Sequence, residues 1–184
     1  MRIAIIGSFS TGKSTLAADL SGLQLLHGYE IDIGAERRVA NKMGHIIGKS
    51  GEKQVVEFQS AILSLECYKQ LVYKDYMTDC PAMLAAVYSR LTGAQEPIIE
   101  ALAFKLSRRY DLVLYCPLSG ENVADGCRHM DNDLRERAAI EIKKYLVAAE
   151  IEHIILPPLH SSDRTVIAAK IIQKRQESLR KLLH

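Results

Sequence analysis

Residues 7–14 read Gly-Ser-Phe-Ser-Thr-Gly-Lys-Ser, with Thr15 next, and they fill every fixed position of G-x-x-x-x-G-K-[ST]. That spacing serves polyphosphate binding. Gly7 and Gly12 permit conformations and close approaches that a side chain obstructs. Successive N–H groups across Ser10, Thr11 and Gly12, added to the positive end of a helix dipole, cradle phosphate oxygens. Lys13 brings a point charge to the β- and γ-phosphates and is expected to face solvent. The Ser14 hydroxyl suits Mg²⁺, and Thr15 suits the α-phosphate. The loop follows an apolar run, Ile3-Ala4-Ile5-Ile6, and precedes a helical stripe of Leu16, Leu20 and Leu23. A strand–loop–helix context of this kind argues against a chance glycine loop. ATP with Mg²⁺ is the implied ligand.

The elements that must position this loop follow from periodicity. Short apolar segments at 2–6, 31–33, 76–79, 111–116 and 151–156 read as strands. Between them lie helical patterns starting near Lys13, from Glu52 to Tyr73 (Phe58, Ile62, Leu65, Val72), from Pro97 towards Arg109, and through Ala138, Ile142, Tyr145 and Ala149. Gly44, Gly48 and Gly51 mark a loop, and residues 119–133 read as a polar surface loop or lid. Asp163 is placed to cap a final helix. This alternation predicts a single α/β domain over 1–184, a mostly parallel sheet flanked by helices. The loop motif makes the expected fold class that of a P-loop NTPase.

Met1 to about Pro157 resembles the small P-loop kinases typified by the NadR-type nicotinamide riboside kinase domain, and the wider thymidylate-kinase-like group with its phage-encoded relatives. Val123-Ala124-Asp125-Gly126-Cys127-Arg128 is similar to the lid of that kinase domain. Arg109 to Leu114 resembles a strand entry, and Asp131 to Arg137 its following helix. Phe58-Gln59 resembles the helix facing the acceptor, and Tyr76 to Asp79 a strand ending in a carboxylate at the reaction centre. The resemblance implies a nucleoside- or nucleotide-kinase-like fold with a lid, and ATP-dependent phosphoryl transfer to a nucleoside, a nucleotide or a modified base. Two departures fall on the acceptor side. Cys80 stands where many relatives have Arg, and Glu36, Arg37 and Arg38 are crowded where relatives space a Glu from an Arg, with Gly34 at the Glu position.

Each candidate carries two readings. Asp79 accepts the acceptor's proton or holds Mg²⁺, or else is a solvated strand-end carboxylate. Arg128 neutralises the transferring phosphoryl group as a lid closes, with Asp125 on the acceptor side orienting it or assisting Mg²⁺, or is a surface arginine. Gln59 and Glu66 interrupt an apolar helix face and point into an acceptor pocket or into solvent. Arg37 and Arg38 bind an acceptor phosphate or a DNA backbone, or are surface charge.

Composition narrows the function. The chain has 184 residues, 48% of them apolar, and a formal net charge of +2, so bulk charge does not mark a nucleic-acid-binding protein. No apolar run reaches the ~20 residues of a membrane span, and a cytoplasmic location is expected, that of the host if phage-encoded. The four cysteines form no zinc pattern and are expected to be reduced. Asn41-Lys42-Met43-Gly44 fails the guanine motif of GTPases. Residues 163–184 form an amphipathic tail with Lys170, Lys174, Arg175, Arg180 and Lys181, a solvated face or a stripe for DNA phosphates. The leading acceptors are 5-hydroxymethyluracil in phage DNA and a nicotinamide-riboside-like nucleoside. The alternatives are a nucleoside monophosphate kinase and a non-kinase ATPase or nucleotide-dependent interaction module. The oligomeric state is open.

Overall fold

Along β1 (Arg2–Ile6), Ile3 and Ile5 point to one face of the sheet, Ala4 and Ile6 to the other, and all four are fully buried. A strand apolar on both faces belongs in the middle of a helix-covered parallel sheet. The structure, a computed structural model describing residues 1–44, 51–119 and 132–182, places it there. The sheet runs β2-β3-β1-β4-β5 and is parallel throughout, with β2 at Glu30–Asp32, β3 at Tyr76–Thr78, β4 at Leu112–Tyr115 and β5 at Ile154–Ile155.

One face is covered by α1 (Lys13–Ser21) and α7 (Ser161–Leu182), whose Leu16, Leu20, Ala168 and Ile172 pack over Ile3, Ile5, Leu112 and Leu114. The other carries α2 (Ala35–Met43), α3 (Glu52–Val72), α4 (Ala82–Leu91), α5 (Pro97–Ser107) and α6 (Asn132–Ala148). Phe58, Ile62, Met83, Val87, Ile99, Ala138 and Ile142 meet Ala4, Ile6, Val113 and Tyr115 there. In register, Ala4 lies opposite both Thr78 and Val113. The residues just past β1 and β3 therefore emerge side by side at the carboxyl ends of the strands, where open parallel sheets bind ligands.

The α/β architecture matches the expectation, and several boundaries move. The second strand ends at Asp32, and Asp79 lies one residue beyond β3. Helices α2 and α4 are absent from the periodicity reading. Every residue of α4 from Ala82 to Ser89 is buried, so it has no polar face and no apolar period. Helix α2 has the opposite difficulty, since charged and amide side chains dominate it. Val72 is exposed rather than packed, and α3 instead buries Gln59, Glu66, Lys69 and Gln70. Of the expected lid, residues 120–131 lie outside the described residues. The free cysteines include Cys67, Cys80 and Cys116. No helix among the described residues is long and apolar enough to cross a membrane.

Candidate phosphate-transfer site

The loop between β1 and α1 is built so that its carbonyl oxygens face protein donors. Ser8 O accepts from Lys13 Nζ at 2.7 Å and from Thr11 Oγ1 at 2.8 Å. Phe9 O and Ser10 O accept from Arg135 of α6 at 3.2 and 3.4 Å. Thr11 O and Gly12 O accept from Arg164 of α7 at 2.9 and 3.3 Å. Every carbonyl from Ser8 to Gly12 is thus occupied by a side-chain donor. A phosphate cradle requires this, because a free carbonyl oxygen repels an anion while the N–H groups attract it.

Both motif glycines have local reasons. A Cβ at Gly7 would lie 2.4 Å from Cys116 O. Gly12 has φ of +76°, and a Cβ there would lie 2.3 Å from Arg164 Nη2. Lys13 does not face solvent as expected. It is 7% exposed, folded back on the loop by its bond to Ser8 O.

Beside the loop lies a cavity of about 330 Å³, lined by residues 10–15 together with Gly34, Glu36, Arg37, Asp79 and Cys80. Ser14 Oγ donates to Asp79 Oδ2 and accepts from Arg37 Nη2 at 3.0 Å. The other Asp79 oxygen, Oδ1, accepts from the Gly34 N–H at 2.8 Å. Asp79 is 5% exposed and Glu36 8%, so two carboxylates and a guanidinium share one partly closed space. Burial pushes the Cys80 thiol well above its ordinary value, with the neighbouring Glu36 and Asp79 charges adding to it, so it stays protonated.

The donor set fits Mg²⁺. Ser14 and Asp79 offer adjacent hard oxygens, and no group of three or more His, Cys, Asp or Glu among the described residues forms a metal cage. Mg²⁺ carried by substrate phosphates needs only one or two protein oxygens.

Behind the site, α3 contributes a buried ionic cluster. Lys69 Nζ lies 2.7 Å from Asp32 Oδ2, 2.5 Å from Glu66 Oε2 and 3.2 Å from Thr78 Oγ1. Tyr76 and Tyr110 donate to Glu66 Oε1 at 2.6 and 2.5 Å. Burial favours the neutral Lys69 amine, but the Glu66 and Asp32 carboxylates outweigh it and hold its pKa above the ordinary range. Burial likewise opposes ionisation of Asp32, and Lys69 with Arg38 reverses this, lowering its pKa.

The structure brings together Ser10, Thr11, Gly12, Lys13, Ser14, Thr15, Asp79 and Arg37 around one cavity; Gly7 packs behind the loop against Cys116. Arg38 pairs instead with Asp32 and Ile33 O and does not line the cavity. Gln59 is buried on α3, away from the lining, and Glu66 belongs to the ionic cluster, so neither faces solvent. Arg128 and Asp125 lie outside the described residues. Sequence reasoning missed Arg135, Arg164 and Lys69, and met Glu36 only as part of a crowded charge run. A signal was present. Arg135 is in phase with Ala138 and Ile142, and Arg164 with Ala168 and Ile172, so each is a charge on an apolar stripe.

A family model, AAA_28, described as an AAA domain, matches residues 2–164. No curated protein matches the chain in sequence. Among solved structures, deoxyadenosine kinase from M. mycoides, with products dCMP and a flexible dCDP bound, superposes with a TM-score of 0.68 at 13% identity over 95% of this chain and 99% of that one. Thymidylate kinase from Candida albicans gives 0.69 at 14% identity over 95% and 92%. NadR, in complex with NAD and AMP-PNP, gives 0.71 at 15% identity over 95% of this chain, which spans about half (49%) of the NadR chain. At these identities the likeness is one of fold, and it agrees with the resemblance drawn from the motifs.

Proposed function

We propose that this chain, which belongs to the AAA domain family over residues 2–164, is an ATP-dependent kinase acting on a hydroxyl of a nucleoside or nucleotide. The observation that carries this reading is the bond from Ser14 to Asp79 at the floor of a cavity that also holds Glu36 and Arg37. The loop alone accounts for nucleotide binding; Glu36 and Arg37 add to the same cavity a carboxylate and a guanidinium, groups that phosphoryl transfer to an acceptor hydroxyl uses.

The roles follow from the partners. The loop N–H groups and Lys13 bind the ATP phosphates, and Thr15 reaches the α-phosphate. When bound, Mg²⁺ neutralises phosphate charge, with Ser14 and Asp79 as the protein oxygens that would hold it. Asp79 accepts hydrogen bonds from Ser14 and from the Gly34 N–H, which fixes it beside the hydroxyl that would hold Mg²⁺ and suits it to the metal side. Glu36 takes the base role. The acceptor's O–H proton passes to its carboxylate, the oxygen forms a bond to the γ-phosphorus, and the bond from that phosphorus to the bridging oxygen breaks, releasing ADP with the electron pair. Arg37 stabilises charge on the transferring group or on an acceptor phosphate, and the lid resemblance assigns Arg128 the same task.

Among acceptors, a free nucleoside or nucleotide is favoured over 5-hydroxymethyluracil in DNA. Arg175 donates to Asp111 O at 2.9 Å, and Gln176 to Leu25 O at 3.0 Å, at the amino ends of the strands. The basic tail therefore runs away from the cavity, about 15 Å along the helix from Arg164 to Lys174 and further to Arg180. The test is transfer of label from γ-labelled ATP to a panel of ribonucleosides (nicotinamide riboside included), deoxynucleosides, monophosphates and hydroxymethylated DNA. Label in one nucleoside or nucleotide class is the expected result. Label appearing only as inorganic phosphate would make the protein an ATPase.

A further inference from the structure

We infer that Arg164 is a positioning residue of the phosphate loop, a clamp through which the C-terminal helix sets nucleotide affinity; the inference rests on the nucleotide-binding part of the proposed function. Arg164 lies in the first turn of α7, 153 residues from Thr11, and is 5% exposed. Its Nη1 donates to Thr11 O at 2.9 Å and its Nη2 to Gly12 O at 3.3 Å, and these are the two residues that lead into Lys13. It does not line the cavity, so it acts on the loop from behind and meets no substrate atom.

Packing alone does not account for an arginine here. The position is in phase with Ala168 and Ile172, which bury apolar side chains on the same stripe, and an apolar residue would satisfy that face. Instead the Nε is buried with no hydrogen-bond partner among the described residues, a cost incurred so that both terminal nitrogens reach the loop carbonyls. The guanidinium also lies where a Gly12 side chain would be, only 2.3 Å from a Cβ built there. Gly12 is thus required twice, once for its left-handed backbone and once to admit Arg164. With Thr11 O and Gly12 O turned to this cation, the adjoining peptide N–H groups are fixed in the opposite sense, and a buried positive charge lies under the phosphate cradle. A second tie joins α7 to α1 without touching the loop. Ser161 Oγ and Thr165 Oγ1 donate to Asp19 Oδ2 at 2.6 and 3.1 Å.

The experiment compares the full-length chain with Arg164→Met, Arg164→Lys and Asp19→Ala, titrating ATP and tripolyphosphate, each with Mg²⁺, by calorimetry and recording Tm. Arg164→Met is expected to weaken both ligands by about 10- to 100-fold and by the same factor, the range for charge-assisted hydrogen bonds. Arg164→Lys, which keeps the charge and one donor, falls between it and the parent. Asp19→Ala loosens the α1–α7 contact and is expected to change affinity by about twofold at most, as for an exposed tie. If Arg164→Met fails to fold, Arg164→Lys decides by the same readout. Unchanged affinity in the folded Arg164 variants, or an equal loss in Asp19→Ala, overturns the clamp while leaving the proposed kinase intact. A parent chain that binds neither ATP nor tripolyphosphate overturns the nucleotide site itself, and the clamp with it.

Discussion

Ser14, in the first turn of α1, donates its hydroxyl hydrogen to Asp79, the residue immediately after β3, and so joins the phosphate loop to the neighbouring strand end. The parallel pairing of β1 with β3 makes this contact possible, because both strands end on the same, carboxyl-terminal side of the sheet. A hydroxyl and a carboxylate so placed can share an ion that neither holds alone.

Removing the Lys13 ammonium is expected to abolish phosphoryl transfer with little loss of fold. Lys13→Ala removes the charge-assisted hydrogen bond to Ser8 O, worth about 1.5–3 kcal/mol, so Tm falls by roughly 3–12 °C while the fold remains. Transfer to the acceptor and Tm of the purified variant, measured side by side, check both halves.

The two carboxylates are expected to separate kinetically. Glu36→Gln lowers kcat by roughly 10²–10⁴-fold with ATP affinity nearly unchanged, the usual range for loss of a general base. Asp79→Asn raises the Mg²⁺ concentration needed for half-maximal rate. Reversal of these two phenotypes in a Mg²⁺ titration would exchange the assigned roles.

The ionic cluster predicts a stability profile with two limbs. Asp32 has a folded pKa below its ordinary 3.8, so its contribution is present above that value and is lost as pH falls through the folded pKa. Lys69 has a folded pKa above 10.5, so its contribution is full below that value and is lost as pH rises through the folded pKa. Tyr76 adds to the alkaline limb, since burial and then Glu66 raise its pKa above 10.0. Denaturant unfolding should show a plateau through neutral pH that falls below about pH 4 and above about pH 10. Lys69→Met leaves buried Glu66 with only its tyrosine donors and Asp32 with only the half-exposed Arg38, and is expected to cost about 3–5 kcal/mol at neutral pH. A loss under about 1 kcal/mol would make the cluster incidental.

Salt dependence separates the acceptors. A free nucleoside carries no backbone charge, so its KM is expected to be nearly flat with salt. A DNA acceptor loses affinity steeply as each neutralised phosphate releases counterions, and the combined substitution of Lys174, Arg180 and Lys181 by Gln flattens that slope. A steep slope with DNA that vanishes in the tail variant would restore the DNA reading.

Local rules carried the phosphate loop from sequence to structure because loop, strand and helix are contiguous there. Gly7 to Thr15 form the loop and helix start that their spacing predicts, and Leu16 and Leu20 of α1 and Ala138, Ile142 and Tyr145 of α6 are buried as their periods predict, although Leu23 lies beyond the end of α1. What failed to read through depends on distant chain segments. Helix α4 is enclosed by neighbours on all sides, which erases its period. Gln59 and Glu66 looked like breaks in an apolar face, yet Glu66 meets Lys69 of its own helix and Tyr76 of β3, and Lys69 in turn meets Asp32 of β2. Arg135 and Arg164 reach a loop more than a hundred residues away, and only their phase with buried alanines and isoleucines hinted at an inward course.

The most direct measurement of the central claim counts ADP formed against phosphorylated acceptor in one reaction, with and without the acceptor that the labelling panel selects. The site described here predicts that the two products appear mole for mole, that ADP formation is slow without acceptor, and that Lys13→Ala forms neither. ADP released together with inorganic phosphate at the same rate whether or not acceptor is present would contradict a kinase.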